Sequence, residues 1–218
     1  MKRLILNRSK PLVYLITDRS KLTRRNNPAT RPSLISFMSE ALSAGVDMIQ
    51  IRERDLSTRE LFSLAEQVAD IAPCANMSLL INDRADVAAS LGCGVHLTTR
   101  SLPSGVVRGA FGPEMLIGVS THNLKEARKA ETGGADFIVF GPVFDTESKR
   151  AYGPPVGLGP LRAVAARSRI PVLALGGISA TNFQDALAAG AAGVAGISLF
   201  TEADDLNGLV CRMKNFNR

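Results

Sequence analysis

Along this chain, short apolar runs of strand length alternate with longer stretches in which apolar residues recur at helical spacing, the grammar of a parallel sheet whose strands are joined by helices. Eight such runs can be read: Leu12 to Thr17, Met48 to Arg52, Ser78 to Ile81, Gly94 to Leu97, Leu116 to Ser120, Phe137 to Phe140, Val172 to Leu175 and Val194 to Ser198. Helix punctuation fills the gaps. Ser57-Thr-Arg-Glu60 has the form of a capping box ahead of Leu61, Leu64 and Val68, and Thr121-His-Asn-Leu-Lys-Glu126 opens another helix. A small-residue element precedes four of the strands, at Ala44-Gly-Val-Asp47, Leu91-Gly-Cys-Gly94, Gly133-Gly-Ala-Asp136 and Gly190-Ala-Ala-Gly193. Each predicts a helix C-cap in which glycine takes a positive φ before the chain re-enters the sheet.

Eight strand-helix units in 218 residues predict an α/β fold, a single (β/α)8 TIM barrel spanning 1–218 with its core at about 12–212. The rival is a doubly wound open sheet. It calls for a Gly-x-Gly-x-x-Gly turn after the first strand, where this chain instead runs Asp18-Arg-Ser-Lys-Leu-Thr-Arg-Arg-Asn-Asn27. Residues 19–31 are expected to form a long polar loop over the barrel mouth, and a lid role for it is open.

Composition narrows the setting. Hydrophobic residues make up 45% and charged residues 21%, a globular profile, while the 5% aromatic content without Trp leaves the core to Ala, Leu, Ile and Val. Three cysteines, Cys74, Cys93 and Cys211, are widely spaced and odd in number, which argues against a disulfide framework or thiolate metal site. The apolar part of the N-terminus, Leu4-Ile-Leu6, is too short for a signal-peptide core, and the uncharged stretch Ala186 to Phe200 is too short for a membrane span. A cytoplasmic location and no membrane partner are therefore expected. The net charge of +6 is spread out, with no basic run alternating with aromatics, so no nucleic-acid partner is expected and an anionic small molecule is.

In a barrel of this kind chemistry sits at the C-terminal ends of the strands. Gly176-Gly177 follows an apolar run, and Ile197-Ser198 ends the next; together they can bring backbone N–H groups to a phosphate, or the glycines can simply make a tight turn. Gln50, Arg52 and Arg54 share one face of their strand, where two guanidiniums can fork onto phosphate oxygens, unless Arg52 is paired with Glu53 or Asp83. Asn82-Asp83 can offer a hard cation one carboxylate, or Asp83 can cap the next helix. His96, inside a strand, has the setting of a hydrogen-bonded core residue; His122, just past a strand end beside Ser120, is placed to move protons or merely to start a helix. Thr146, Ser148 and Lys149 lie in a long loop from Gly141 to Leu158, and Lys149 can reach an anionic substrate.

These residues, in this order, resemble the thiamine phosphate synthase/TenI family. The matching pieces are Tyr14-Leu-Ile-Thr-Asp18, Gln50-Ile-Arg-Glu-Arg54, Ile81-Asn-Asp-Arg84, Gly94-Val-His-Leu97, Ile117-Gly-Val-Ser-Thr-His122, Ala135-Asp-Phe-Ile-Val-Phe-Gly-Pro142, Thr146-Glu-Ser-Lys149 and Leu175-Gly-Gly-Ile178. The resemblance implies a TIM barrel in thiamine biosynthesis with one of two activities. The synthase joins hydroxymethylpyrimidine diphosphate to thiazole phosphate with Mg2+; TenI-type members shift a proton on a thiazole phosphate and need no cofactor.

It further implies that Gln50, Arg52, Asn82, Ser120, Thr146, Ser148 and Lys149 contact pyrimidine or pyrophosphate, that Asp83 binds metal, and that Gly177 with Ser198 holds the thiazole phosphate. This chain departs from the synthase pattern in two places: Arg54 stands where a lysine is typical, and Ser101 stands at the second metal carboxylate, preceded by Arg100. Losing a ligand carboxylate weakens a hard-cation site. The leading expectation is therefore a TenI-like, metal-independent thiazole tautomerase with His122 as acid/base and Arg52 and Lys149 as further catalytic groups. The alternatives are the Mg2+-dependent synthase and, in another class, a non-catalytic regulatory protein that binds a phosphorylated ligand. A homo-oligomer is compatible with each.

Overall fold

The structure is a computed structural model that describes residues 10–24, 33–71, 78–147, 150 and 153–216. Eight parallel strands close into a barrel in sequential order: β1 (Leu12–Ile16), β2 (Met48–Ile51), β3 (Ser78–Asn82), β4 (Gly94–Leu97), β5 (Ile117–Thr121), β6 (Phe137–Phe140), β7 (Val172–Ala174) and β8 (Gly193–Gly196). The ring is sealed where β8 pairs with β1, Leu12 opposite Gly193 and Leu15 opposite Gly196. Helices follow the strands: α1 (Leu34–Ser43), α2 (Thr58–Ile71), α3 (Ala85–Ser90), α4 (Ser104–Phe111), α5 (Leu124–Thr132), α6 (Leu158–Ala165) and α7 (Phe183–Ala188), then the short α8 (Ser198–Thr201) and α9 (Leu206–Lys214) after β8. Strand and barrel expectations thus agree with the structure to within a residue or two at each end. No described helix is long and apolar enough to cross a membrane.

Side-chain alternation splits the apolar residues into two separate clusters. Val13, Leu15, Ile49, Ile51, Leu79, Ile81, Val95, Leu97, Ile117, Ile138, Phe140, Val172, Ala174 and Val194 face the surrounding helices. Leu12, Tyr14, Ile16, Met48, Leu80, Leu116, Phe137, Val139, Leu173 and Ala195 fill the barrel itself. The period of two along each strand forces this division, and it fixes which residues can reach the mouth.

Local signals work as anticipated. Ser57 and Glu60 exchange the capping-box bonds, with Glu60 N–H donating to Ser57 Oγ at 3.3 Å and Ser57 N–H to Glu60 Oε2 at 2.8 Å. Gly45, Gly92, Gly134 and Gly190 all take positive φ between helix and strand. Two of these connections end in an aspartate with an added role. Asp47 accepts the Val13 N–H at 2.8 Å, and Asp136 accepts the Ile117 N–H at 2.7 Å, so each carboxylate ties the start of its own strand to the start of the preceding one. Asp47 is paired with Lys214 of α9, and Asp136 with Arg108 of α4 at 2.7 Å, which locks terminal and central helices to the barrel floor.

The Asp47 side chain is fully buried, so its removal leaves the Val13 amide without this acceptor and breaks the ion pair with Lys214. Asp47→Ala is expected to lower the unfolding free energy by about 3–5 kcal/mol. Asp55→Ala, which breaks the solvent-exposed pair with Arg19, is expected to cost about 1 kcal/mol or less. Urea denaturation of both variants checks the contrast.

Candidate active site

Five polar side chains from five adjacent strands meet inside the mouth of the barrel. Tyr14 of β1 donates its hydroxyl to Gln50 Oε1 of β2 at 3.1 Å, and Gln50 Nε2 donates to Asn82 Oδ1 of β3 at 2.8 Å. On the other side, Tyr14 Oη lies 3.2 Å from His96 Nδ1 of β4, and His96 Nε2 lies 2.8 Å from Ser120 Oγ of β5. Tyr14, Gln50 and His96 are all buried. Burial holds the Tyr14 phenol well above its ordinary pKa, and it pushes the His96 imidazolium down to about 3, with the nearby Arg52 cation adding to the effect. Both groups are therefore neutral at physiological pH, and the network consists of neutral hydrogen bonds.

Above this layer, the ends of β1 and β2 collect positive charge. Glu53 is withdrawn from the site: it accepts from Thr17 Oγ1 at 2.6 Å and from the Arg19 N–H at 3.1 Å, closing the loop after β1 onto the loop after β2. Arg52 is consequently not paired with Glu53 or Asp83, one of the two ways its position could be read. Its guanidinium has no hydrogen-bond or ion-pair partner among the described residues, and burial, then repulsion from Arg54, lowers its pKa. Arg54 and Arg100 are likewise without a side-chain partner there. Two cavities share Glu53 and Arg54. One, of about 370 Å³, is lined by Asn82, Asp83, Thr98 and Arg100; the other, of about 760 Å³, by Asp18, Arg19, Leu34 and Arg52.

A second group of unengaged donors lies at the ends of β7 and β8. Gly176 and Gly177 both have positive φ, and their N–H groups and that of Ile178 donate to no acceptor in the described chain. The loop after β6 folds back here, with Val143 N–H on Leu175 O at 2.9 Å and Phe144 N–H on Gly176 O at 3.0 Å, which lays Thr146 close to the glycine pair. Asn182 secures the other flank by donating to Gly177 O at 2.9 Å while accepting the Ser179 N–H at 2.8 Å. Ile197 precedes α8 and Ser198 begins it, so the first N–H groups of that turn lack intrahelical acceptors and complete the same rim.

The remaining expected residues divide. Asp83 has φ +67 and does not cap α3, whose N-cap is Arg84, so the capping alternative is corrected. Its carboxylate makes no bond to the described chain and borders the smaller cavity. Ser101 is occupied: its hydroxyl accepts the Thr98 N–H at 2.7 Å and meets Thr98 Oγ1 at 3.1 Å, closing a turn. His122 has a 47% exposed side chain and sits, two residues before α5, 3.8 Å from Glu126 of that helix, with no bond to the buried network. It does not join Ser120, because alternation along β5 turns Ser120 inward and the chain has left the strand by residue 122. Ser148 and Lys149 lie outside the described residues. Tyr14 has no role in the sequence reading and Glu53 only that of a partner for Arg52; a tyrosine at an interior position of an otherwise apolar run is the available signal, because a buried phenol requires a partner.

A closed (β/α)8 barrel with polar side chains gathered at the C-terminal ends of its strands has the architecture of a TIM-barrel enzyme. The family model described as thiamine monophosphate synthase matches residues 13–200, and the chain belongs to that family of enzymes. A relative from Geobacter sulfurreducens is 46% identical over 187 residues, 85% of this chain and 84% of its own. The thiamine-phosphate synthase of Clostridium novyi is 38% identical over 197 residues, 90% of this chain and 93% of its own. Among solved structures, thiamine phosphate pyrophosphorylase from Pyrococcus furiosus superposes with a TM-score of 0.78 at 30% identity, covering 91% of each chain. These relatives carry synthase names, and the preference for a tautomerase finds no support among them.

Two outcomes test the site's physics. Because His96 is held neutral down to about pH 3 while an unfolded histidine titrates near 6.5, the unfolded state binds the extra proton in that window. Stability is thus complete above pH 6.5 and lost as pH falls towards 3; His96→Asn is expected to flatten the slope by up to about 1.4 kcal/mol per pH unit in urea titrations. Separately, a Cβ at Gly177 would lie 2.4 Å from Asp145 O at a φ of +64. Gly177→Ala is expected to raise the KM of a phosphorylated substrate at least about tenfold, measured by steady-state kinetics, by shifting the N–H groups.

Proposed function

We propose that this enzyme is a thiamine phosphate synthase, joining hydroxymethylpyrimidine diphosphate to thiazole phosphate and releasing pyrophosphate. The observation that carries the reading is the pair of unengaged donor sets on one mouth, the guanidiniums of Arg52, Arg54 and Arg100 at one side and backbone N–H groups at the other. A synthase must hold a diphosphate and a monophosphate at once, and three guanidiniums suit the more highly charged of the two. The synthase names of the relatives support the same choice over the tautomerase, and the exposed, Glu126-paired His122 is ill placed as its acid/base.

The chain's own groups divide the work. Arg52, Arg54 and Arg100, with Lys149 and Ser148 from the long loop, hold the diphosphate; guanidiniums suit it because they stay charged and can bind two oxygens at once. Gln50, Asn82 and Ser120 orient the pyrimidine ring. The N–H groups of Gly176, Gly177 and Ser198, with Ile197 and Thr146 beside them, hold the thiazole phosphate against the ring's methyl carbon. Pyrophosphate departs with the bonding electron pair, and the cationic pyrimidine is captured by the thiazole a short distance away, an encounter that proximity alone accelerates strongly.

Mg2+ fits this donor set with one protein ligand. Asp83 is the unengaged carboxylate at the cavity edge, Ser101 is consumed in its turn, and the described residues contain no group of three metal-ligating side chains. A hard cation shared between one carboxylate and the substrate's phosphate oxygens is an ordinary arrangement for magnesium. When bound, the ion would neutralise charge building on the leaving pyrophosphate.

Purified protein given both substrates and Mg2+ is expected to form thiamine phosphate and pyrophosphate in equal amounts, with chelator abolishing turnover. Arg52→Gln is expected to lower kcat/KM by about 100-fold or more. No thiamine phosphate at any Mg2+ concentration, together with metal-independent conversion of the thiazole tautomer, would return the reading to the tautomerase.

A further inference from the structure

We infer that Tyr14 and His96 are positioning residues that fix the hydrogen-bond polarity of the site through a one-directional relay from Ser120 to Asn82. The direction follows from counting protons. Gln50 presents Oε1, which carries no hydrogen, to Tyr14 Oη at 3.1 Å, so the single phenolic proton is committed there. His96 Nδ1, 3.2 Å from the same Oη, must then be the protonated nitrogen, since two lone pairs facing each other in a dry interior make no bond. Neutral imidazole has only one N–H, so Nε2 is an acceptor and the Ser120 hydroxyl, at 2.8 Å, donates to it. At the other end Gln50 Nε2 donates to Asn82 Oδ1 at 2.8 Å. Reversing one link alone would leave two hydrogens or two lone pairs opposed, so the links turn over together or not at all.

The consequence appears at the two ends, which face the mouth. Asn82 keeps both amide hydrogens uncommitted, and no described group accepts them. Ser120 has spent its hydrogen inward and offers lone pairs. The barrel mouth therefore presents donors at the end of β3 and an acceptor at the end of β5. A heteroaromatic ring with an unprotonated ring nitrogen and a neighbouring exocyclic amine is read in one orientation; the ring turned over would set donor against donor. Tyr14 and His96 need not touch the ligand to impose this, and Phe137 prevents either ring from swinging away, with centroids 5.6 Å from Tyr14 and 6.2 Å from His96.

The tautomer can be read directly on the free protein. The chain has two histidines, so a His122→Gln variant assigns the ring 15N resonances of His96 unambiguously. At neutral pH the wild-type spectrum is expected to place the ring proton on Nδ1. A proton on Nε2, or averaging between the two tautomers, overturns the relay. Tyr14→Phe is expected to abolish the preference for Nδ1.

A kinetic arm rests on the synthase reading and can fail independently of the spectrum. In His96→Asn the shorter amide can replace the Nδ1 donor to Tyr14; in His96→Gln the longer one replaces only the Nε2 partner of Ser120. Each variant keeps one link of the relay and drops the other, so both are expected to raise the KM for the pyrimidine diphosphate about tenfold, with the thiazole phosphate KM unmoved. An unchanged pyrimidine diphosphate KM in either variant, or parallel rises in both KM values, would mean that His96 merely fills space.

Discussion

The constraint on which the site depends is a chain of five polar side chains inside a closed barrel, the middle three of them sealed from solvent. Neither Tyr14, Gln50 nor His96 reaches solvent, so each must find its partner on a neighbouring strand or carry the full cost of desolvation. That requirement is met only in the observed register, with Ile16 opposite Gln50 and Asn82 opposite His96. A slip by one residue would turn these groups into the helix layer and bring Ile51 or Val95 inward. The other half of the interior is apolar, with Phe137, Val139, Leu173 and Ala195 facing the polar five. Gly118 makes room for this: a Cβ there would sit 2.3 Å from the Phe137 ring, so the missing side chain on β5 lets that ring fill the barrel's centre. Packing and hydrogen bonding therefore enforce the same register.

The rim inherits its charge from what the loops consume. Glu53 follows Arg52 directly and could neutralise it, yet it is engaged by Thr17 and the Arg19 amide. Asp55 is paired with Arg19 and Asp86 with Arg84. Apart from Asp83, these acidic groups near the mouth are thus bound up in structure while the guanidiniums of Arg52, Arg54 and Arg100 have no side-chain partner among the described residues. Crowding of Arg52 by Arg54 is unfavourable in the free protein and is relieved when negative charge arrives, which is how a preorganised site favours a highly charged ligand. The dispersed net charge of +6 acquires a meaning only at this level.

Most of the architecture was legible in the sequence because it is written in short-range signals. Apolar runs, the Ser57 capping box and the glycines before the strands are each settled within a few residues of themselves, and together they place the eight strand ends. The two histidines show where that legibility ended. His96 was correctly read as a hydrogen-bonded strand residue, but its partners Tyr14 and Ser120 are 82 and 24 positions away, beyond any local pattern. His122 looked catalytic because it follows a strand end, yet a four-residue reach to Glu126 at the helix start accounts for its surroundings. Arg52 needed the commitments of Glu53, made across the β1 loop, before its guanidinium could be seen as available. Asp83 likewise reads as a helix cap until its positive φ removes it from that role.

The division of the mouth into two chemistries follows from the barrel's own asymmetry. Strands β1 to β5 end in side chains that carry protons and charge, and their loops are held by carboxylates; β7 and β8 end in glycine-rich turns whose only offerings are backbone N–H groups. Side-chain guanidiniums can follow a leaving group as charge develops on it, because they are long and Arg54 and Arg100 are exposed, whereas N–H groups anchored by Asn182 cannot move without unpicking the turn. On the proposed synthase reading, a diphosphate that must depart would meet a compliant clamp and a monophosphate that must stay put a rigid one. On that reading, Ser101 in place of a carboxylate beside Arg100 would shift the guanidinium side further towards fixed positive charge.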